Sequence, residues 1–234
     1  MQIPVLYEDR DVLAVHKPAG VVVIPARNEE AATSLRRVLE ASRGEALWVV
    51  HRIDRDTSGV VLFARNADAH RALSLAFERR EVEKTYLALT RGPLTPAEGS
   101  IDVALHAARK GKMRPALPGE KESLDAHTRY RVLNSWKTAA GVVSLVELTP
   151  KTGRQHQLRV HLRSREAPLL VDPLYGRTER VTARELGIDA DATVERLTLH
   201  ASSLDVPKPS GEGRLRLDAP LAEDLRALIA ALTG

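Results

Sequence analysis

The stretch His51-Arg52-Ile53-Asp54-Arg55-Asp56-Thr57-Ser58-Gly59, followed at once by Val60-Val61-Leu62-Phe63-Ala64, constrains this chain more than any other. A charged segment closed by Ser-Gly and running into a short β-branched, apolar stretch predicts a loop entering a buried strand. Charged side chains held on a loop by a rigid element are where chemistry is usually found. Asp54 is the residue around which the rest is placed. Taken alone, it reads as a surface carboxylate paired with Arg52 or Arg55.

A length of 234 residues suits one large domain or two small ones. Hydrophobic residues at 43% and charged residues at 28% exclude a wholly disordered chain, and the apolar runs are too short to span a bilayer. The start Met1-Gln2-Ile3-Pro4 lacks the basic-then-apolar pattern of a secretory signal. The absence of cysteine excludes disulfides, thiolate metal sites and a Cys nucleophile, and it fits a reducing compartment, so the expected location is cytoplasmic. The net charge is only +4, but the basic residues are clustered. Arg109-Lys110-Gly111-Lys112-Met113-Arg114 holds four cations, and Lys151 to Arg165 holds Lys151, Arg154, Arg159, Arg163 and Arg165 with no acid. Each cluster alone reads as a solvated face. Together they favour a surface that tracks phosphates and binds nucleic acid in a salt-dependent way.

Val5-Leu6-Tyr7 and Val12-Leu13-Ala14-Val15, separated by a polar turn, read as a hairpin, and Pro18 with Gly20 marks a tight turn. Residues 34 to 43 read as a helix capped by Thr33 and stopped by Gly44. Trp48-Val49-Val50 leads into the central loop. After Ala64, Asn66 or Asp68 caps a helix whose face of Ala69, Ala72, Leu73, Ala76 and Phe77 reads as core. Lys84 to Leu89 reads as a strand with Tyr86 and Ala88 on the face opposite Leu87 and Leu89. Gly and Pro residues between 91 and 141 imply long loops, and Val142 to Leu148 reads as a central strand. From Gln155 to Arg163, alternation suggests a strand, while helical spacing fits equally. At the end of the chain, Asp218 and Pro220 predict the start of a helix with Leu221, Leu225, Leu228, Ile229 and Leu232 at core spacing.

The nine-residue loop, with the strand ending at Ala64-Arg65, resembles the signature of the RluA-type pseudouridine synthases, Ile53 and Val60-Val61 being conservative variants. His16-Lys17-Pro18-Ala19-Gly20-Val21 is similar to that family's first motif, and Lys84-Thr85-Tyr86-Leu87-Ala88-Leu89 to its tyrosine motif. Thr149 to His161 is similar to its third motif, with Gln155 where Thr or Ser is more usual. That motif's end, Ala167 to Gly176, has Val171 in place of the usual Gly. Leu197 to Leu204 resembles the last family strand, with a structural His-Ala pair. The resemblance runs from about Val5 to Leu204. It implies a mixed α/β (α+β) fold, a largely antiparallel sheet flanked by helices and crossed by an active-site cleft. It also favours a helix over the Gln155 to Arg163 stretch. With no repeat or linker in sight, the expectation is a single catalytic domain over 1–234, without a small N-terminal RNA-binding domain.

By the same resemblance the reaction breaks the bond from uracil N1 to ribose C1′, turns the base and rejoins it through C5, without cofactor or metal. Asp54 is the implied catalytic carboxylate, by attack on C6, by attack on C1′ or by removal of the C2′ proton. Burial disfavours a charged carboxylate, so a cation must oppose it. Arg159 is the first choice for that cation and Arg154 the second. Tyr86 lies against the base and shares in the final proton transfer, and Arg52 fills the space left by a flipped uridine. The implied substrate contacts are His51, Arg52, Arg154, Gln157, Leu158, Lys17 and Lys112, on a ribosomal or transfer RNA bound by a monomer. Asp56 is expected to be structural. Two other readings remain: an RNA-binding module without chemistry, and a hydrolase using Asp54 with Asp56, for which no hydrolase or phosphate-loop motif is present. His156 and His161 lack the usual metal spacing and read as packing or RNA contacts.

Overall fold

The computed structural model describes residues 2–25 and 34–234, so Thr33 as a helix cap lies outside the described residues. In chain order the elements are β1 (Val5–Glu8), β2 (Val12–Lys17), α1 (Leu35–Arg43), β3 (Trp48–Val49), β4 (Ser58–Ala64) and α2 (Ala67–Glu78). There follow β5 (Glu83–Arg91), β6 (Glu98–Asp102), β7 (Leu105–Ala107), β8 (Met113–Pro115), β9 (His127–Thr138), β10 (Gly141–Pro150) and α3 (Gln157–Ser164). The last are β11 (Val181–Thr182), β12 (Thr193–Val194), β13 (Leu199–Pro207), β14 (Arg214–Asp218) and α4 (Glu223–Thr233). They gather into two compact units, residues 1–84 with 201–220 and residues 85–200 with 221–234.

In the first unit the strand order is β1-β2-β4-β13, with β3 also on β4 and β14 on β13. The β1/β2 hairpin is antiparallel, and its turn is closed by Asp9 Oδ1, which accepts the Asp11 and Val12 N–H groups at 2.8 Å. All seven residues of β4 are buried, which explains an unbroken apolar run in place of alternation. The strand begins earlier than that run suggests, because Gly59 already pairs with Lys17 of β2. Asn66 caps α2, its side chain accepting the Ala69 N–H at 2.8 Å. Asp218 caps nothing. It is the last residue of β14, facing Ser203 of β13, and α4 starts at Glu223 after the extended Ala222.

In the second unit β5, β10, β9 and β6 lie side by side, antiparallel throughout. The twelve-residue β9 occupies ground where the sequence implied loops. Its Thr128 and Tyr130 are buried while His127, Arg129 and Arg131 are exposed, so half of the strand reads as polar. Tyr86 and Ala88 face a core with Val146, Leu148, Leu158 and Leu162, and Leu89 faces the opposite one, as the alternation requires. The stretch that sequence left between strand and helix is α3, buried along most of its length. On α4, Leu225, Leu228 and Leu232 close the second core with Val171 and Val194. This is the expected mixed fold of antiparallel sheet and flanking helices.

Candidate active site

Asp54 lies, half-buried, in the loop between β3 and β4, where a turn is closed by the Thr57 N–H on the Asp54 carbonyl at 3.2 Å. Three residues fix this loop. Lys17 is fully buried, and its Nζ donates to the carbonyls of Pro18, Val21 and Arg55 at 2.8, 2.7 and 2.7 Å. The three protons of its ammonium thus tie the Pro18-Ala19-Gly20 turn to the residue after Asp54. Lys17, expected from sequence to contact substrate, is placed inside the unit, where it braces this loop.

His51 is the second brace. Its Nε2 accepts the Leu62 N–H of β4 at 2.9 Å, and its ring stacks on Phe77 of α2 with centroids 5.0 Å apart at 15°. An acceptor at Nε2 requires the neutral ring, and loss of water around it, with Lys84 nearby, lowers its pKa to about 3. Phe77, read from sequence as core, therefore has a share in orienting the loop. The third brace is Gly59, at φ +119°, where a Cβ would lie 2.1 Å from the Ala201 carbonyl oxygen. Only glycine lets β13 lie this close to the start of β4. Arg52 is exposed on the same loop.

The remaining expected residues belong to the second unit. Tyr86 is half-buried on β5, beside Leu148 of β10 and against the core that includes Leu158. Arg159 is 4% exposed, and its Nε and Nη2 donate to Asp172 at 2.9 and 2.7 Å. Asp172 itself is 2% exposed. This two-pronged carboxylate partner was not singled out from sequence, although Asp172 lies within the third motif; a Pro and a Gly shortly after it are the only local signal of the turn it occupies. Arg154 is half-buried, with Nε donating to the Asp125 carbonyl, and Lys112 Nζ donates to the Leu174 carbonyl at 3.0 Å.

Gln157 and Leu158, also expected to contact substrate, are buried as Lys17 is. Gln157 is buried; its Oε1 accepts from Thr152 and from the Arg154 N–H, and its Nε2 donates to the His127 carbonyl and Thr128. Its amide nitrogen thus holds the start of α3 to β9 while its oxygen ties down the segment before the helix, and Leu158 is core. His161 is fully buried between Thr128 and the Val103 carbonyl, which makes it packing.

A family described as RNA pseudouridylate synthase matches residues 11–164. The ribosomal large subunit pseudouridine synthase D of Xanthomonas campestris pv. campestris is 33% identical over 97% of this chain and 69% of its own length. The protein of the same name from Nitrosomonas europaea, also 33% identical, is covered over 64% of its length. The tRNA pseudouridine synthase C of Haemophilus ducreyi is 33% identical over 97% of this chain and 95% of its own. The solved structure of human RNA Pseudouridylate Synthase Domain Containing 4 has a TM-score of 0.75 at 25% identity, over 98% of this chain and 93% of that one. The chain belongs to the RNA pseudouridylate synthase family, RluA type, a family of RNA isomerases.

Proposed function

We propose that this chain converts uridine to pseudouridine in ribosomal or transfer RNA, with Asp54 as its catalytic carboxylate. The observation that supports the reading is the Asp54 loop: a match to the family signature, braced by Lys17, His51 and Gly59 against the rigid, buried β4 that follows it. In the reaction the N1–C1′ bond breaks, the uracil turns, and C5 bonds to C1′. C5 loses its proton and N1 gains one, so nothing is consumed and no cofactor is needed. Asp54 acts as nucleophile on C6 or C1′, or as base toward the C2′ proton, and Arg159 serves the same reaction as a cation. Tyr86 offers its ring to the uracil and takes part in the C5 proton transfer. Leaving the stack costs the uridine roughly a few kcal/mol, and Arg52 occupies its vacated place.

Phosphates are met by Arg154 and by the exposed Arg109, Lys110, Arg163 and Arg165. Both units serve one catalytic domain, acting as a monomer in the cytoplasm. The test is tritium release from C5-labelled uridine in cellular RNA by the wild type and by Asp54→Asn. Release by the wild type alone is the expected result. Retained release in the variant would remove Asp54 from its role, and RNA binding by a wild type that releases nothing from any unmodified transcript would favour a binding module.

A further inference from the structure

The turn that carries Asp172 does more than hold Arg159. Asp172 Oδ1 accepts the Leu174 and Tyr175 N–H groups at 3.0 Å, and the Asp172 carbonyl accepts the Gly176 N–H at 2.8 Å. Tyr175, 8% exposed, is thereby aimed inward, and the Arg159 guanidinium carbon lies 4.9 Å from the centre of its ring. Arg159 is thus supported by a carboxylate and an aromatic face from one turn.

The Tyr175 hydroxyl reaches two further elements. It accepts the Met113 N–H of β8 at 2.7 Å and lies 2.9 Å from His156 Nδ1. The phenol and the imidazole share a single proton along this second bond, so the one oxygen joins the Met113 backbone to the His156 ring whichever of the two donates. His156 directly precedes α3 at φ 54°, a left-handed conformation that side chains rarely adopt, and its ring meets Tyr175 edge-on at 5.5 Å. This contact helps fix the residue from which α3, and Arg159 in its first turn, departs.

Met113 opens the second strand of the β7/β8 hairpin, whose connection carries the exposed Arg109 and Lys110. Leu105, Met113, Ala126, Val160 and Tyr175 form one small core, and Lys112 Nζ holds the Leu174 carbonyl. Hairpin, turn and helix are therefore joined at one phenol.

We propose that Tyr175 is a positioning residue for Arg159, its hydroxyl tying the basic β7/β8 hairpin to the start of α3 and its ring supporting the guanidinium. The kinetic part of this inference rests on the reading that Arg159 serves pseudouridine formation. The orientation of Arg159 does not. Residues that orient a functional group without touching substrate change the rate by about 10- to 100-fold when lost, as the supporting shells of metal sites do.

Tyr175→Phe keeps the ring and the core volume and deletes both hydroxyl bonds. Single-turnover rates on an unmodified transcript are measured for the wild type, Tyr175→Phe, Arg159→Lys and the double variant, with Arg159 Nε–H exchange followed by NMR. In Tyr175→Phe the saturated rate falls about tenfold or more while half-saturation moves less than about twofold. In the Arg159→Lys background the same change has no further effect, because the tyrosine acts through the arginine. The Arg159 Nε–H shifts and exchanges faster in Tyr175→Phe. An unmoved Arg159 resonance, an unchanged rate, or an equal loss in both backgrounds would overturn the proposal. A moved resonance in a protein whose wild type makes no pseudouridine would support the positioning role and sink the activity reading alone.

Discussion

At the scale of single residues, the Asp54 loop depends on positions that have no chemistry of their own. Gly59 is the sharpest case. A methyl group there meets the Ala201 backbone, which cannot rotate away, and at φ +119° the residue is strained even without the clash. Gly59→Ala is expected to lower stability by about 3 kcal/mol or more in urea unfolding, since overpacking and a forbidden backbone conformation add. A loss under about 1 kcal/mol would mean that β13 does not approach β4 this closely. Lys17 belongs to the same scale. Its three carbonyl acceptors come from Pro18, Val21 and Arg55, so the family's first motif is a brace for the loop after it.

At the scale of elements, α2 and β4 hold the loop between them through His51. The folded state keeps this imidazole neutral down to about pH 3, whereas in the unfolded chain it titrates near 6.5. Between those values the unfolded chain binds a proton that the folded one refuses, so stability is complete above pH 6.5 and is lost as the pH falls. From pH 6.5 to 5 the wild type should lose about 2 kcal/mol that His51→Gln does not lose, at about 1.4 kcal/mol per pH unit. Paired urea melts at the two pH values measure the difference. Identical slopes in the two proteins would show that the ring is not held neutral. The β7/β8 hairpin is an element of another kind: its strands are three residues each, and its small core leans on α3 and on Tyr175.

At the scale of the whole molecule, 35 basic against 31 acidic residues leave too small an excess to drive RNA binding by net charge. Binding must come from local clusters. Arg109→Ala and Lys110→Ala are each expected to weaken RNA binding at low salt and to reduce the slope of log affinity against log salt by about one. Filter binding over a salt series reads both quantities, and an unchanged slope in both variants would place the phosphates elsewhere. Arg114, from the same cluster, is already engaged by Glu120, which illustrates why counting cations along a sequence overstates the surface available to phosphate.

The chain alone was enough for whatever depends on near neighbours. The loop running into β4, the β1/β2 hairpin, the Asn66 cap and the stop at Gly44 follow from residues within a few positions of one another, and the Asp54 motif is contiguous. Tertiary structure decided what depends on partners far along the chain. β9 is a strand because β10 and β6 pair with it on either side, although alternate positions are polar. Asp218 ends a strand because β13 faces it, where local pattern made it a helix cap. Lys17 and Gln157, polar and apt for RNA on paper, are buried because carbonyls and hydroxyls from distant segments converge on them. Arg159 acquired Asp172 and Tyr175 in the same way, since a turn 13 residues further on returns beneath its helix. A sequence states which groups need partners; only the folded chain sets the distances that supply them.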